Sequence, residues 1–311
     1  MLIYLVFAVV AGFLLANQNP INADLRKIVG SPFLASALSN FVGSIFLGII
    51  TIIVSHTLFP SWTFITGEPV WVWLGGLLGG IYLTSNVLLF PRLGAVQTVI
   101  LPILGQILMG IVIDSFGWFG ALQISLSTFR FIGILITLVG VLIAVVLPSL
   151  SGKSQAKSSS NETKNLLVWR VWAVIVGGLS AIQQAINGHL GTLLHNPSQA
   201  SFVSFFLGFL AIFLVALIVD RRLPKFSELK KAKVWNGFGG ILGALFVLTT
   251  VLAVPQIGAG LTIMMALIGQ IVGSMLVQQF GWWRSLRYNI QRFQVIGVLV
   301  MLLGIVFIKF L

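Results

Sequence analysis

The residues with chemistry to offer are carboxamides set inside apolar runs. Gln183-Gln184-Ala185-Ile186-Asn187 lies near the middle of the run from Val171 to Leu194, and the same pattern occurs earlier as Gln18-Asn19-Pro20-Ile21-Asn22. Residues four apart share one helix face, so Gln18 stacks with Asn22 and Gln183 with Asn187. An amide in hydrocarbon is costly without a partner, and such a face is expected to turn into a helix bundle or a wet cavity. Carboxamides both donate and accept hydrogen bonds, which suits recognition of an uncharged polar solute. The competing role is bonding between helices, worth about 0.6 to 2 kcal/mol per bond.

Further polar residues fall inside other runs. Gln106 and Gln270 each follow a glycine, which lets a ligand or a neighbouring backbone approach closely. Asn86 and Ser85, with Thr249 and Thr250, are candidate cavity-lining groups, although hydroxyls in membrane helices often bond their own backbone. Asp114 is the one carboxylate inside an apolar run; the other acids are Asp24, Glu68, Glu162, Asp220 and Glu228. An intramembrane acid is a candidate for proton or cation coupling. The alternative for Asp114 is to cap an interface or to pair with Arg130. Tyr82 and the tryptophans Trp71, Trp73, Trp118, Trp282 and Trp283 are expected to be interfacial anchors. His56, His189 and His195 show no metal-ligand spacing. The chain shows no nucleophile with a base, no phosphate loop and no nucleotide-binding signature, so it is expected to be no enzyme and to need no cofactor.

The elements that position these groups follow from composition. Of 311 residues, 58% are hydrophobic and 8% charged, and mean hydropathy is +1.08. So little charge cannot keep the surface of a soluble domain in water. The apolar runs exceed the roughly ten residues of a barrel strand, so the fold class is all-α integral membrane. The net charge of +12 lies between the runs, as in loops beside an anionic leaflet, and points away from nucleic acid. Cysteine is absent, which removes disulfides and thiolate chemistry.

Ten spans are expected: Leu2–Leu25, Phe33–Leu58, Val70–Phe90, Ala95–Phe116 and Thr128–Leu147, then Val171–Leu194, Ala200–Val219, Val234–Val254, Gly260–Phe280 and Phe293–Phe310. No basic residue precedes the first apolar core, so that span is expected to be retained rather than cleaved as a signal. Pro20 within it is expected to break the helix beside Gln18 and Asn22. Between the fifth and sixth spans the chain turns rich in Ser and Lys. That divides it into 1–148, a solvated linker at 149–168, and 169–311.

The two halves are copies. A shift of 164 or 165 residues brings Gln18 onto Gln183, Asn22 onto Asn187, Pro32 onto Pro197 and Gly43 onto Gly208. It also brings Gly75, Gly76 and Gly79 onto Gly239, Gly240 and Gly243, and Pro91, Gly94 and Ala95 onto Pro255, Gly258 and Ala259. Gly105-Gln106 meets Gly269-Gln270, Phe116-Gly117-Trp118 meets Phe280-Gly281-Trp282, and Gly133 and Gly140 meet Gly297 and Gly304. An odd number of spans per copy inverts the second copy in the membrane, the design of many secondary transporters. The spacing of Gly75 from Gly79 and of Gly239 from Gly243 favours close helix packing.

Sixteen of the 18 Lys and Arg fall on one side of this ten-span plan; Arg130 and Lys309 alone fall on the other. Positive charge marks the cytoplasmic side, so the linker and basic loops are expected inside and both termini outside.

Taken in order and in duplicate, Gln-x-x-x-Asn, Gly-Gly-x-x-Gly, Pro-x-x-Gly-Ala and Gly-Gln resemble the YdcZ-type branch of the drug/metabolite transporter superfamily. The resemblance covers both halves, from about Leu2 to Val146 and from Trp169 to Phe310. It implies ten helices of EamA-like architecture around a central cavity between inverted five-helix repeats. It also gives export a mild preference. Better-known ten-helix members place both termini in the cytoplasm, the opposite of the charge pattern here.

The expectation is a secondary-active transporter of the cytoplasmic membrane that moves a small polar or amphipathic metabolite by alternating access. Its substrate contacts would be Gln18, Asn22, Asn86, Gln106, Gln183, Gln184, Asn187 and Gln270, with Asp114 as the coupling group. Its partners would be the small-molecule substrate, the lipid bilayer and a coupled proton, in a monomer or homodimer. The alternatives are a channel or a structural or regulatory membrane subunit, and counterflow exchange or saturable efflux separates them.

Overall fold

A computed structural model describes residues 1–151, 163–285, 287 and 289–310. Most of the Ser/Lys-rich linker lies outside these described residues. Among them the chain is all helical: α1 (Leu2–Val29), α2 (Pro32–Ser55), α3 (Trp62–Gly67), α4 (Gly75–Phe116), α5 (Thr128–Ser151), α6 (Thr163–Leu193), α7 (Pro197–Val219), α8 (Phe226–Leu229), α9 (Val234–Ile257), α10 (Ala259–Phe280) and α11 (Arg292–Phe310). Six are long and apolar enough to cross a membrane: α1, α2, α6, α7, α9 and α10. Shorter apolar helices cover Gly75–Leu89, Leu101–Phe116, Thr128–Ala144 and Arg292–Ile308.

Local chemistry sets the ends of these helices. Before α2, Ser31 Oγ accepts from the backbone N–H groups of Phe33 and Leu34; before α7, the Asn196 side chain accepts from Gln199 N–H. Each cap precedes a proline at the first helical position, where a missing donor does no harm. Helices α4 and α10 both stop at a left-handed glycine, Gly117 and Gly281, each with φ 65°.

Two expectations change. Pro20 does not break α1, which runs through it from Leu2 to Val29. The lost backbone bond is outweighed by packing on both sides of the proline, against Gly239 and Gly243 of α9 and Gly269 and Gly273 of α10. The third and fourth expected spans also belong to one helical run. Yet Gly75 and Gly79 lie against Asn187 and Gln183, Arg92 stacks 3.7 Å over the Trp169 ring, and Gly105 and Gly120 return to Val174 and His189. The run is therefore two antiparallel arms lying along α6.

Equivalent helices of the two halves run antiparallel. In the α2–α7 pair, Gly48 faces Phe202, Gly43 faces Phe205, and the Phe41 and Phe209 rings lie 5.1 Å apart. In the α5–α11 pair, Gly133 faces Gly304 and Gly140 faces Gly297, so close that added Cβ atoms would meet the opposing backbone at 2.6 to 2.8 Å. Outward faces carry apolar side chains such as Ile53, Ile218 and Leu299, as hydrocarbon requires. The described basic residues of the α1–α2, α7–α9 and α10–α11 connections gather at one end, where Arg222 bonds Glu228 and the Val29 carbonyl. That contact holds the half-buried Glu228 carboxyl below its ordinary range.

Candidate functional site

The duplicated motifs lock into each other across the halves. Gln183 and Asn187 of α6 lie on Gly79 and Gly75 of α4, and Gln18 and Asn22 of α1 lie on Gly243 and Gly239 of α9. A Cβ at Gly79 would fall 2.9 Å from Cδ of Gln183, and one at Gly243 would fall 2.9 Å from Cδ of Gln18. Both are far inside van der Waals contact. The remaining motif glycines do ordinary helix packing: Gly76 meets the backbone of Ser204 and Gly208, and Gly240 that of Ser39 and Gly43. The glycine pattern thus serves two ends, backbone approach on one face and amide seats on the other.

Between these seats lies a cavity of about 40 Å³ lined by Gln18, Asn19, Gln183, Asn40, Ser204, Tyr82, Phe205 and Phe246. Gln18 and Gln183 are buried and come from different halves. Asn22 and Asn187 sit deeper beside their glycines and do not line it. Both amide atoms of Asn22 and Oδ1 of Asn187 are buried without a hydrogen-bond partner. Such orphaned amides are unusual in a folded protein.

The other expected contacts are spread around this centre. Gln106 Nε2 donates to the Tyr82 hydroxyl at 3.1 Å, and Asn86 hydrogen-bonds the same hydroxyl. They support a cavity-lining tyrosine from behind. Tyr82 itself is therefore no interfacial anchor, because it stands mid-helix beside the cavity. Gln184 donates to the Ser180 carbonyl of its own helix at 3.2 Å, while its Oε1 is buried and unpartnered. Gln270 is half-buried on α10 and away from the cavity lining. Thr249 and Thr250 bond their own backbone, and Ser85 accepts from Trp172 Nε1 at 3.2 Å. Trp71 stacks on His189, with ring centroids 5.3 Å apart. Among the described residues no three His, Cys, Asp or Glu gather as metal ligands.

Asp114 is fully buried and outside the cavity lining. Its Oδ2 meets Arg130 Nη2 at 2.6 Å and accepts from Gly260 N–H at 2.9 Å, and its Oδ1 accepts from Ala259 N–H at 2.8 Å. Asn40 and Ser204 were not singled out in the sequence. The available signal was a polar residue within the buried stripe of α2 and of α7.

A family model described as "Putative inner membrane exporter, YdcZ" matches residues 3–143 and again 168–307. A solved structure titled "Crystal structure of protein" shares the fold, with a TM-score of 0.64 and 16% identity over 97% of this chain and 98% of that one. No curated protein matches the chain. With the family unit matched twice over most of its length, this multi-pass inner-membrane chain belongs to the YdcZ family of the drug/metabolite transporter superfamily.

Proposed function

We propose that the protein is a secondary-active exporter of small polar or amphipathic metabolites, working by alternating access between two inverted five-helix repeats. The observation that carries the proposal is the crossed seating of Gln18 and Gln183 on glycines of the opposite half, around one shared cavity. The reading takes the six long helices and the four shorter apolar ones as ten spans, and the antiparallel α2–α7 and α5–α11 pairs support inversion of the repeats. The repeats would be 1–148 and 169–311, with 149–168 between them. The basic end would face the cytoplasm and both termini the opposite side.

A cavity of about 40 Å³ holds roughly a water or two, whereas ligand pockets run to about 300 Å³ or more. A solute therefore enters only when the halves part. The walls combine amides, a hydroxyl, a phenol and phenylalanine rings and carry no charged side chain, which suits an uncharged polar or amphipathic solute better than an ion. Substrate contact is assigned to Gln18 and Gln183, with Asn22 and Asn187 becoming available as the glycine seats separate.

The test is a thermal-shift screen of the purified protein against a metabolite and drug panel, with Gln18→Ala and Gln183→Ala alongside. A ligand raises apparent stability by mass action. A hit lost in both variants, and transported by vesicles of the native protein, supports the proposal. Hits that survive both substitutions would show that the amides only hold helices together.

A further inference from the structure

The Asp114–Arg130 ion pair has both side chains buried, 0% and 5% exposed. Its setting is specific. Gly258, with φ 84°, separates α9 from α10, so the first turn of α10 presents backbone donors that no carbonyl of its own helix can meet. The Asp114 carboxylate, from the other half of the molecule, fills that role by accepting from Ala259 and Gly260. Arg130 on α5 holds the carboxylate and also donates to the Ile124 carbonyl at 2.7 Å, while Ile124 N–H donates to the Asp114 carbonyl at 2.7 Å. A charged knot of the first half thus grips the elbow of the second.

The knot lies at the end remote from the basic loops. There, Gly120 abuts His189 at the close of α6, while Arg92 meets Trp169 at the opposite, basic end. Any opening of the cavity toward the remote end must draw α4 and α5 away from the α9–α10 elbow. The equivalent positions of the second half are Gln278 and Gln294, which are uncharged. One half of this fold therefore manages without the pair.

We infer that Asp114 and Arg130 form a latch that holds the remote mouth of the cavity shut, acting as positioning residues for transport rather than as substrate ligands. The inference rests on the alternating-access reading. The latch makes the remote face the one whose opening is resisted, and a bound solute or a change at Asp114 is needed to release it.

The absence of cysteine makes the test direct. Ser204→Cys places one thiol in the cavity wall, and the exposed Thr63→Cys serves as a separate marker of the remote face. Membrane-impermeant maleimide is applied to whole cells and to inverted vesicles, and initial labelling rates are compared. Asp114→Asn should raise labelling of the cavity thiol from the remote face by roughly tenfold, the equilibrium change that ~1.4 kcal/mol of lost latch would give. Should Asp114→Asn fold poorly, the double variant Asp114→Gln/Arg130→Gln installs the residues found in the second half and leaves no buried charge unpaired. It should show the same rise.

Unchanged remote-face labelling in well-folded variants, with the thiol still reached from the basic face, overturns the latch and leaves the transport proposal standing. A thiol reached from neither face in any variant overturns both.

Discussion

An ion pair sits where the halves meet at each end of the molecule, and the two pairs differ in how far water reaches them. At the remote end the Asp114–Arg130 pair is sealed from solvent and bonded at 2.6 Å. At the basic end Arg284 stands 3.8 Å from Asp24 and is 59% exposed, while Asp24 also accepts from Asn236 Nδ2 at 3.1 Å. Both sites tie the halves together, Asp114 through its bonds from Ala259 and Gly260, yet their energetics differ. Removing one partner of a fully buried pair strands a charge, whereas the exposed Arg284 competes with water and salt for a buried Asp24 that keeps its bond from Asn236. Of the two pairs, the remote one is sealed from solvent and the basic one is open to it on the arginine side.

The largest effect expected from breaking this contrast is Asp114→Ala, which leaves Arg130 buried and unpaired. It should destabilise the protein by about 3 to 5 kcal/mol, read as a lower melting temperature or denaturant midpoint in detergent. A loss below about 1 kcal/mol would put the two ends on an equal footing. Next come Gly76→Leu and Gly240→Leu, which push side chains into the backbone of α7 and α2. Each should cost about 1 to 3 kcal/mol or more, with the two values close because the halves are matched there. A large difference between them would show that the symmetry stops at sequence.

Gln18→Ala and Gln183→Ala should each change stability by about 0.6 to 2 kcal/mol and abolish ligand-induced stabilisation in the thermal-shift assay. Retained ligand response in either would confine the site to one half. The smallest effect is expected for Arg284→Ala, roughly 0 to 1 kcal/mol and shrinking further as salt is raised. Salt-insensitive loss of several kcal/mol would erase the proposed difference between the ends.

Six of the spans were readable because a membrane helix writes its length into one continuous apolar run, and the duplication because each motif recurs in order. Even the tight α4 reversal kept its two-span signature, although the backbone on both sides is helical. The meaning of Gly75 and Gly79 was harder to reach, since the groups they accommodate lie more than a hundred positions away. Equal spacing in Gly-x-x-x-Gly and Gln-x-x-x-Asn was the clue, but no local rule pairs them. Tyr82 was misassigned because an amphipathic ring suits an interface and a cavity wall equally. Pro20 was misassigned because its local penalty is overruled by neighbours that only the fold supplies. Asp114 beside Arg130 was foreseeable as a pair, whereas its bonds to Ala259 and Gly260 depend on how the halves meet.

The α5–α11 contact carries a consequence for how the protein is made. The glycine face of α5 is made near the middle of synthesis, but Gly297 and Gly304 that cover it come near the end of the second half. Until they arrive that face is bare, because the pairing that closes it joins the two halves of the sequence. Insertion of helices can proceed span by span, but their assembly must wait. The interval is when a partner copy, a chaperone or a quality-control protease would meet an unfinished surface.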